Sequence, residues 1–340
     1  MSILIKQSLP LGANWFGLIW NHDIAKFGYE TVSQSGLNGR TAWAPRAKVV
    51  GGCTAHNAYV FIRGSKMSYD EWGNGWSWDV LKPHWQAILD NFNPTTNDGS
   101  KPYPTANQEY IDTMLAACQE LGFTVNNDLN TMDGVHKGCN LRQHMGVVDT
   151  DSQGNTFIRR QTAYSQLVQP IVKDRPNLHV MVNQQVAKVV FKGKKAVGVR
   201  GIDPWSETSF EFKAKKEVIL AAGVYDTPKL LLLSGIGPKE HLQEMGISVV
   251  HELNGVGENL LDDSFSSIEG PALKEQPEEW NSIWPVNGIQ TWGEPGDDDD
   301  STPPLFNWNY HIEPSFIDDK VRKFSPFSFK IAHNSTIGLT

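Results

Sequence analysis

Residues 46–64 read RAKVVGGCTAHNAYVFIRG. The pair Gly51 and Gly52 follows a short apolar run, and His56 and Asn57 come shortly after the pair. The stretch is too short to build a zinc site, and it has too few glycines for a phosphate-binding loop of the usual kind. Because neighbouring glycines carry no side chains, the backbone can pass close to another group at this point. The stretch therefore predicts a close approach between backbone and ligand, with a histidine beside it.

The composition is that of an ordinary globular protein. The chain has 340 residues, enough for about two domains. Its formal net charge is -8, from 38 acidic and 30 basic residues, which argues against a nucleic-acid partner because phosphate binding needs clustered lysines and arginines. The sequence contains no apolar run of about 18 residues, so no membrane span is expected. The sequence predicts no particular compartment.

The three cysteines are Cys53, Cys118 and Cys139. An odd number at wide spacing favours buried free thiols over a disulfide framework or a zinc module. The run DDDD at 297–300 favours a solvated loop, because adjacent carboxylates cannot converge on one ion without a sharp turn. No metal site is expected.

Helical spacing of apolar residues predicts three helices. The first covers 107–122 and ends at Gly122, a plausible C-cap. The second covers 159–174 and is broken near Pro170. The third is the short segment 239–247.

Strands are predicted where valine is frequent and apolar residues alternate. Residues 177–203 predict two or three strands joined at KGKK, a turn that contains Gly193. The segment KEVILAAG, 216–223, predicts a short apolar strand. A helix should follow it, with Thr227 as N-cap and Pro228 at the first helical position. A strand, small residues and a helix N-terminus in this order are typical of nucleotide-binding α/β proteins.

Three stretches together carry a resemblance. They are RAKVVGGCTAHNAYVFIRG, VILAAGVYDTPKLLLLSGIGP (218–238) and NGVGENLLDD (254–263). In this order they resemble the glucose–methanol–choline (GMC) family of flavin-dependent oxidoreductases, and the choline-oxidase-like members in particular. The resemblance covers about residues 25 to 265. It implies an α/β fold in which 1–264 are part of a Rossmann-like FAD-binding domain, and 265–340 begin a substrate-binding domain on an antiparallel sheet.

The resemblance also implies which residues contact FAD. In this family, small side chains leave room for the flavin and the adenosine. Carried over to this chain, the contacts are Val50, Gly51, Gly52, Thr54, His56, Asn57, Ala58, Val186, Ala221, Ala222 and Gly223. Gly235 and Gly237, in the second stretch, are expected either to cap a helix or to contact the cofactor.

The resemblance makes His56 a special position. Most of the family has an aliphatic residue there, whereas choline-oxidase-like members carry a histidine bonded covalently to the flavin. The surrounding pattern Gly51, Gly52, Cys53 and Asn57 is the same here. The alternative is a buried, hydrogen-bonded and unmodified histidine.

Two family segments are missing from this sequence. It contains no GxGxxG pattern, and the family's catalytic histidine segment near the carboxyl end is not found. We therefore expect a central part of a longer oxidoreductase that removes a hydride from the CH–OH group of an alcohol. The alternative is a non-catalytic remnant that binds no flavin. His311 is the candidate base in this chain, although a surface or structural role is the other interpretation.

The resemblance to choline oxidases also has an implication for the substrate. Choline oxidases place a glutamate against the cationic head of the substrate, whereas Pro285 or Val286 takes that position here. A small, uncharged alcohol is therefore expected. The electron acceptor and the oligomeric state are left open.

Overall fold

The structure is a computed structural model. It describes residues 8–10, 26–44, 46–55, 57, 61–73, 75–92, 108–126, 130, 132, 138–141, 143, 145–154, 156–270, 288–292, 307–311 and 327–338.

The described residues form α-helices and mainly antiparallel β-strands, which confirms the predicted α/β class. The α-helices are α1 (Lys66–Asp70), α2 (Trp78–Asn91), α3 (Gln108–Glu120), α4 (Asp226–Leu233) and α5 (Lys239–Glu244). The strands are β1 (Ser8–Pro10), β2 (Lys26–Phe27), β3 (Arg46–Ala47), β4 (Gly138–Leu141), β5 (Gly146–Thr150), β6 (Thr156–Arg160), β7 (Gln185–Lys192), β8 (Lys195–Ile202), β9 (Ser209–Lys213), β10 (Ile236–Gly237), β11 (His251–Glu252), β12 (Leu261–Gly270), β13 (Gly288–Trp292), β14 (Asn307–His311) and β15 (Phe327–Gly338).

The chain divides into two compact units. The first contains Met1–Val32, Thr41–Asp174 and Asp263–Thr336, and the second contains Ser33–Arg40, Arg175–Asp262 and Ile337–Thr340. The division into an FAD-binding part, 1–264, and a substrate-binding part, 265–340, stays a prediction.

The first unit contains two larger sheets. One has the order β1-β6-β5, with both pairings antiparallel. The other has the order β12-β15-β14-β13-β4, and β4, β13, β14 and β15 pair antiparallel in succession. Strands β13, β14 and β15 form an antiparallel sheet after residue 265 as expected, but β4, from an earlier part of the chain, also belongs to it.

The second unit is built on the antiparallel sheet β7-β8-β9. The β7–β8 turn lies at KGKK as predicted. Lys192 and Lys195 pair at its two ends, and Gly193 adopts φ 60 between them. The hydroxyl of Ser234, just after α4, accepts a hydrogen bond of 2.8 Å from the backbone N–H of Val189 in β7. This bond holds the end of the helix against a buried position of the sheet.

The predicted strand KEVILAAG is wrong. Residues 217–221 are not part of a strand, and the side chain of Ile219 is 77% exposed. A short apolar run becomes a strand only when another strand completes its backbone hydrogen bonds. Among the residues that the structure describes, none pairs with this segment.

Two helix predictions need correction at their ends. In 159–174, Arg159 and Arg160 belong to β6, a π-helical turn covers Tyr164–Val168, and a 3-10 turn covers Val172–Asp174. The helix α4 begins at Asp226, so Thr227 is not its N-cap. Thr227 instead accepts a hydrogen bond of 3.0 Å on Oγ1 from the N–H of Ala222. The helices predicted at 107–122 and 239–247 are confirmed as α3 and α5, and Gly122 lies beyond α3 at φ 87.

The prediction of mostly buried, free thiols is confirmed for the burial of Cys118 and Cys139, but it is wrong in calling these two free. Cys118 in α3 and Cys139 in β4 form a disulfide, with 6.5 Å between their Cα atoms, and Cys53 is an exposed thiol. Leu115 and Phe123 pack against the disulfide. The two cysteines are 21 residues apart in sequence, so only the packing of α3 beside β4 brings them within bonding distance.

Within the described ranges, no helix has the length and apolar character needed to cross a membrane.

Candidate functional site

The loop after β3 has the unusual backbone that its two glycines allow. Gly51 adopts φ 97 and Gly52 adopts φ 56, both in the left-handed region. A 3-10 turn then covers Gly52–Ala55. The N–H of Gly52 donates to the carbonyl of Val49 at 3.0 Å, and the N–H of Asn57 donates to the carbonyl of Cys53 at 2.8 Å. These bonds fold residues 49–57 into a compact loop, which we call the glycine loop.

The two glycines have different surroundings. A methyl group on Gly51 would lie 3.4 Å from Thr162 and 3.4 Å from Cβ of Tyr164. A methyl group on Gly52 would meet no atom of the described residues within 4 Å. Gly51 is therefore a packing position inside the protein, whereas Gly52 faces open space where another molecule can approach the backbone.

The residues that end β6 support the glycine loop. The Nη1 atom of Arg160 donates to Oδ1 of Asn57 at 2.7 Å and to the carbonyl of Thr54 at 3.2 Å. The backbone N–H of Ala163 donates to Oγ1 of Thr54 at 2.9 Å, and that hydroxyl in turn donates to the carbonyl of Gly51. Arg160 and Ala163 therefore bond to the middle and the end of the loop, and Thr54 in turn bonds to Gly51 near its beginning.

The supporting segment is itself buried and well held. Arg160 and Gln161 are each 3% exposed, and Thr162 is fully buried. The N–H of Gln161 donates to the carbonyl of Met145 at 2.9 Å. Thr162 and Ser165 bond each other reciprocally, with each backbone N–H donating to the other hydroxyl at 2.9 and 3.0 Å. A segment fixed on this many sides can hold the glycine loop in one conformation.

Residues 160–163 are not among the site residues predicted from the sequence. The signal that could have found them is the run RRQT, 159–162, in which charged and polar residues directly follow a β-branched strand. Buried polar side chains need partners, and such a run before a turn indicates a contact with another loop.

The other described residues that were predicted to contact FAD lie in the second unit. Val186 is half-buried in β7, opposite Gly201 of β8. Ala221, Ala222 and Gly223 are exposed just before α4. Gly223 adopts φ 94, and a methyl group on it would meet nothing within 4 Å. This turn therefore also has an open side without side-chain obstruction.

The packing around Gly235 supports its role at the end of a helix over a contact with the cofactor. It follows α4 at φ 84, its N–H donates to the carbonyl of Leu232 at 2.9 Å, and a methyl group on it would lie 2.3 Å from the carbonyl oxygen of Ser248. A methyl group on Gly237 would lie 2.4 Å from Leu232. Both glycines are required by the protein's own packing around the end of the helix.

Three predicted positions are described incompletely or not at all. His56 and Ala58 lie outside the described residues. The backbone of His311 ends β14 and pairs with Gly288 of β13. In the part of the chain that the structure describes, no three His, Cys, Asp or Glu residues are arranged to hold a metal ion.

A family model described as GMC oxidoreductase matches residues 4–264. The chain belongs to the GMC oxidoreductase family. The matched range contains the glycine loop, residues 160–163 and the turn at 221–223, whereas His311 lies beyond it.

Two curated relatives illustrate the range of this family. Versicolorin B synthase of Aspergillus parasiticus is 30% identical over 272 residues, which cover 74% of this chain and 41% of the relative. An oxygen-dependent choline dehydrogenase of Photobacterium profundum is 34% identical over 253 residues, covering 69% of this chain and 41% of the relative. The chain thus spans about two fifths of the length of these relatives.

A solved structure is also similar to this chain. The FAD-dependent oxidoreductase of Chaetomium thermophilum is 34% identical, with a TM-score of 0.59, and the match covers 72% of this chain and 44% of that protein.

Proposed function

We propose that the protein binds FAD and is an oxidoreductase that acts on the CH–OH group of a small, uncharged alcohol. The observation that carries the proposal is Gly52, whose backbone faces open space at φ 56 in a loop held by Arg160 and Ala163. A flat ring system can approach such a backbone because no side chain stands in the way. The residues present therefore fit the cofactor of the family.

In the glycine loop, Val50, Gly51, Gly52, Thr54 and Asn57 would hold the flavin end. Val50 is 40% exposed and Asn57 is exposed, so both are accessible to a ligand. Thr54 is engaged with Gly51 and Ala163, which makes its contribution the shape of the loop. Ala58 lies outside the described residues, and we propose it as a further FAD contact from the sequence resemblance alone.

In the second unit, Val186 and the turn Ala221, Ala222 and Gly223 would accommodate the adenosine end. The support is the small size and exposure of the turn, together with the open side of Gly223. Larger side chains at these positions would occupy the space that a nucleotide needs.

FAD, when bound, supplies the acceptor for the hydride that leaves the alcohol carbon. The protein's part is to orient the alcohol and to take up its hydroxyl proton on a histidine base. His311 is the candidate that this chain offers, at the end of β14. Its alternative is a structural role.

The proposal extends to a covalent link between His56 and the flavin. The support is the sequence pattern around it, in which Asn57 follows His56 and two glycines precede it. Acid precipitation of the FAD-loaded protein should leave the yellow colour in the pellet, and His56→Ala should release it to the supernatant. A colourless pellet from the unmodified protein would restore the alternative of a hydrogen-bonded histidine.

The choice of an uncharged alcohol depends on Pro285 and Val286, which lie outside the described residues. Neither side chain can carry the negative charge that a cationic substrate would need beside it. Because one relative is named a choline dehydrogenase, choline is the informative competitor.

The test is a titration of the full chain with FAD, followed by flavin absorbance and fluorescence. Gly52→Ala should weaken FAD binding, whereas Gly193→Ala is the matched control. Both glycines have φ near 60 and an open side, but Gly193 lies in the β7–β8 turn. If no preparation of the unmodified chain binds FAD, the alternative of a non-catalytic remnant that binds no flavin would be favoured.

The substrate is tested with the FAD-loaded protein under anaerobic conditions. Neutral primary alcohols should bleach the flavin absorbance faster than choline does at equal concentration. Preferential bleaching by choline would reject the uncharged alcohol while leaving the flavoprotein assignment intact.

A further inference from the structure

Arg160 is a buried charged residue in the segment 160–163, which supports the glycine loop. It is the last residue of β6, it is 3% exposed, and its Nη1 reaches both Asn57 and Thr54. The contact joins residues that are 103 positions apart in the sequence. We infer that Arg160 is a positioning residue that sets the orientation of the Asn57 amide toward the flavin. The inference rests on the proposed function.

The chemistry of the two groups determines that orientation. A guanidinium group has only donors, so the atom of Asn57 that faces it must be the acceptor oxygen. The Nδ2 group of Asn57 therefore points away from Arg160. Asn57 is exposed, so the side of the residue that faces away from Arg160 is accessible to a ligand. Without Arg160 the amide loses this constraint on its orientation.

The second hydrogen bond of Arg160 restrains the middle of the glycine loop. Arg160 also donates to the carbonyl of Thr54, and Thr54 is independently held by Ala163 and bonded to Gly51. The hydrogen bonds of Thr54 with Ala163 and Gly51 therefore remain when Arg160 is removed. Loss of Arg160 should therefore change the position of Asn57 more than it changes the fold of the loop.

The neighbouring arginine supplies a matched control. Arg159 is also in β6, but it is half-exposed and pairs with Asp149 at 3.0 Å. Successive side chains of a strand point to opposite faces, so Arg159 cannot reach the glycine loop in the way that Arg160 does. Arg159→Met removes the same chemical group from the same strand.

The experiment compares Arg160→Met, Arg160→Lys and Arg159→Met in the full chain. The readouts are hydrogen exchange of the Asn57 backbone N–H without FAD, the Kd for FAD, and the visible circular dichroism of bound flavin. Arg160→Met should raise the exchange rate and the Kd by about tenfold each, as expected for loss of a charge-assisted hydrogen bond. Arg160→Lys should restore part of both, and Arg159→Met should change neither.

Asn57→Asp separates positioning from folding. A carboxylate can still accept from Arg160, but it cannot donate to a ligand. We expect unchanged exchange in the loop, weaker FAD binding and an altered dichroism spectrum.

Unchanged FAD affinity and dichroism in a folded Arg160→Met protein would overturn the inference. If that variant does not fold, wild-type values for Arg160→Lys together with wild-type values for Asn57→Asp would overturn it. A chain that binds no FAD would reject the proposed function and the inference together. Hydrogen exchange would then still report whether Arg160 holds the loop.

Discussion

Gly51 lies directly against Thr162, since a methyl group on Gly51 would stand 3.4 Å from both Cβ and Oγ1 of that residue. Thr162 is fully buried, so it has little freedom to move away. Gly51 therefore contributes to the protein's own packing, and Gly52 is the member of the pair that faces open space.

Replacing each glycine by alanine should separate these roles. Gly51→Ala should lower the free energy of unfolding by about 2 kcal/mol, because φ 97 lies beyond the small left-handed region that alanine can adopt. Gly52→Ala should cost about 1 kcal/mol, from its left-handed conformation alone. Urea denaturation in the absence of FAD measures both values. Equal losses would contradict this difference between the two backbone conformations.

The disulfide between Cys118 and Cys139 should be a major stabilising feature. It closes a separation of 21 residues, for which removal of a cross-link is expected to cost about 3 kcal/mol. The double variant Cys118→Ala and Cys139→Ala should show this loss in urea denaturation. Cys53→Ser, at an exposed thiol, should change stability by less than about 0.5 kcal/mol.

A thiol count checks the pairing directly. The unreduced protein, once denatured, should contain one reactive thiol, and reduction should reveal the other two of its three cysteines. Three reactive thiols before reduction would show that the pair is not formed.

Local patterns were sufficient for elements whose stability is local. The apolar spacing of 107–122 predicted α3, and the turn residues around Gly193 predicted the β7–β8 hairpin. The segment 216–223 had an apolar composition typical of a strand, but composition does not supply a pairing partner. The Cys118–Cys139 pair likewise depends on the distance between two elements, which spacing in the sequence does not reveal.

Part of the candidate site could be predicted from local sequence, and part of it could not. The glycine pair was visible in the sequence because left-handed backbone and close approach both require glycine. The contribution of Arg160 was not visible, since its contact with Asn57 spans 103 positions and arises only when β6 and the loop are brought together. Long-range polar contacts of this kind need the fold before they can be identified.

Asp70 should make stability depend on pH. Its carboxylate accepts hydrogen bonds from the Lys66 ammonium and, at 2.8 Å, from the N–H of Trp78 at the start of α2. The Lys66 bond, followed by the Trp78 bond, lowers the pKa of Asp70 below its usual value of 3.8. A lowered folded-state pKa gives stability that is present above the unfolded pKa and lost as the pH falls through the folded one.

The measurement is the free energy of unfolding of the unmodified protein and of Asp70→Ala between about pH 6 and 2. The difference between them should be constant above about pH 5 and should shrink below the unfolded value of 3.8. Lys66→Met removes the larger cause and should move the decline to higher pH. A difference that grows on acidification would have the wrong sign for this account.

Asn130 should be more important for stability than a polar residue usually is. It is 7% exposed, and its Oδ1 accepts from the N–H of Arg63 at 2.7 Å. Its Nδ2 donates to the carbonyl of Phe61 at 3.1 Å and to Oε1 of Gln143 at 2.6 Å. Asn130→Ala therefore takes one partner from each of three buried groups, and we expect a loss of about 2–4 kcal/mol in the free energy of unfolding.

A double-mutant cycle with Gln143→Ala isolates one of these bonds. Gln143 is 3% exposed and also accepts the N–H of Phe61 through its backbone carbonyl at 2.9 Å, which alanine retains. The coupling energy between Asn130 and Gln143 should be about 0.5–1.5 kcal/mol, because the second substitution removes a group that the first had already left with one bond fewer. Asn91→Ala provides the comparison, since that side chain makes a hydrogen bond at the surface of α2 and its loss should cost less than about 0.5 kcal/mol. If Asn130→Ala were as mild as Asn91→Ala, this buried network would not contribute to holding residues 61–63 in place.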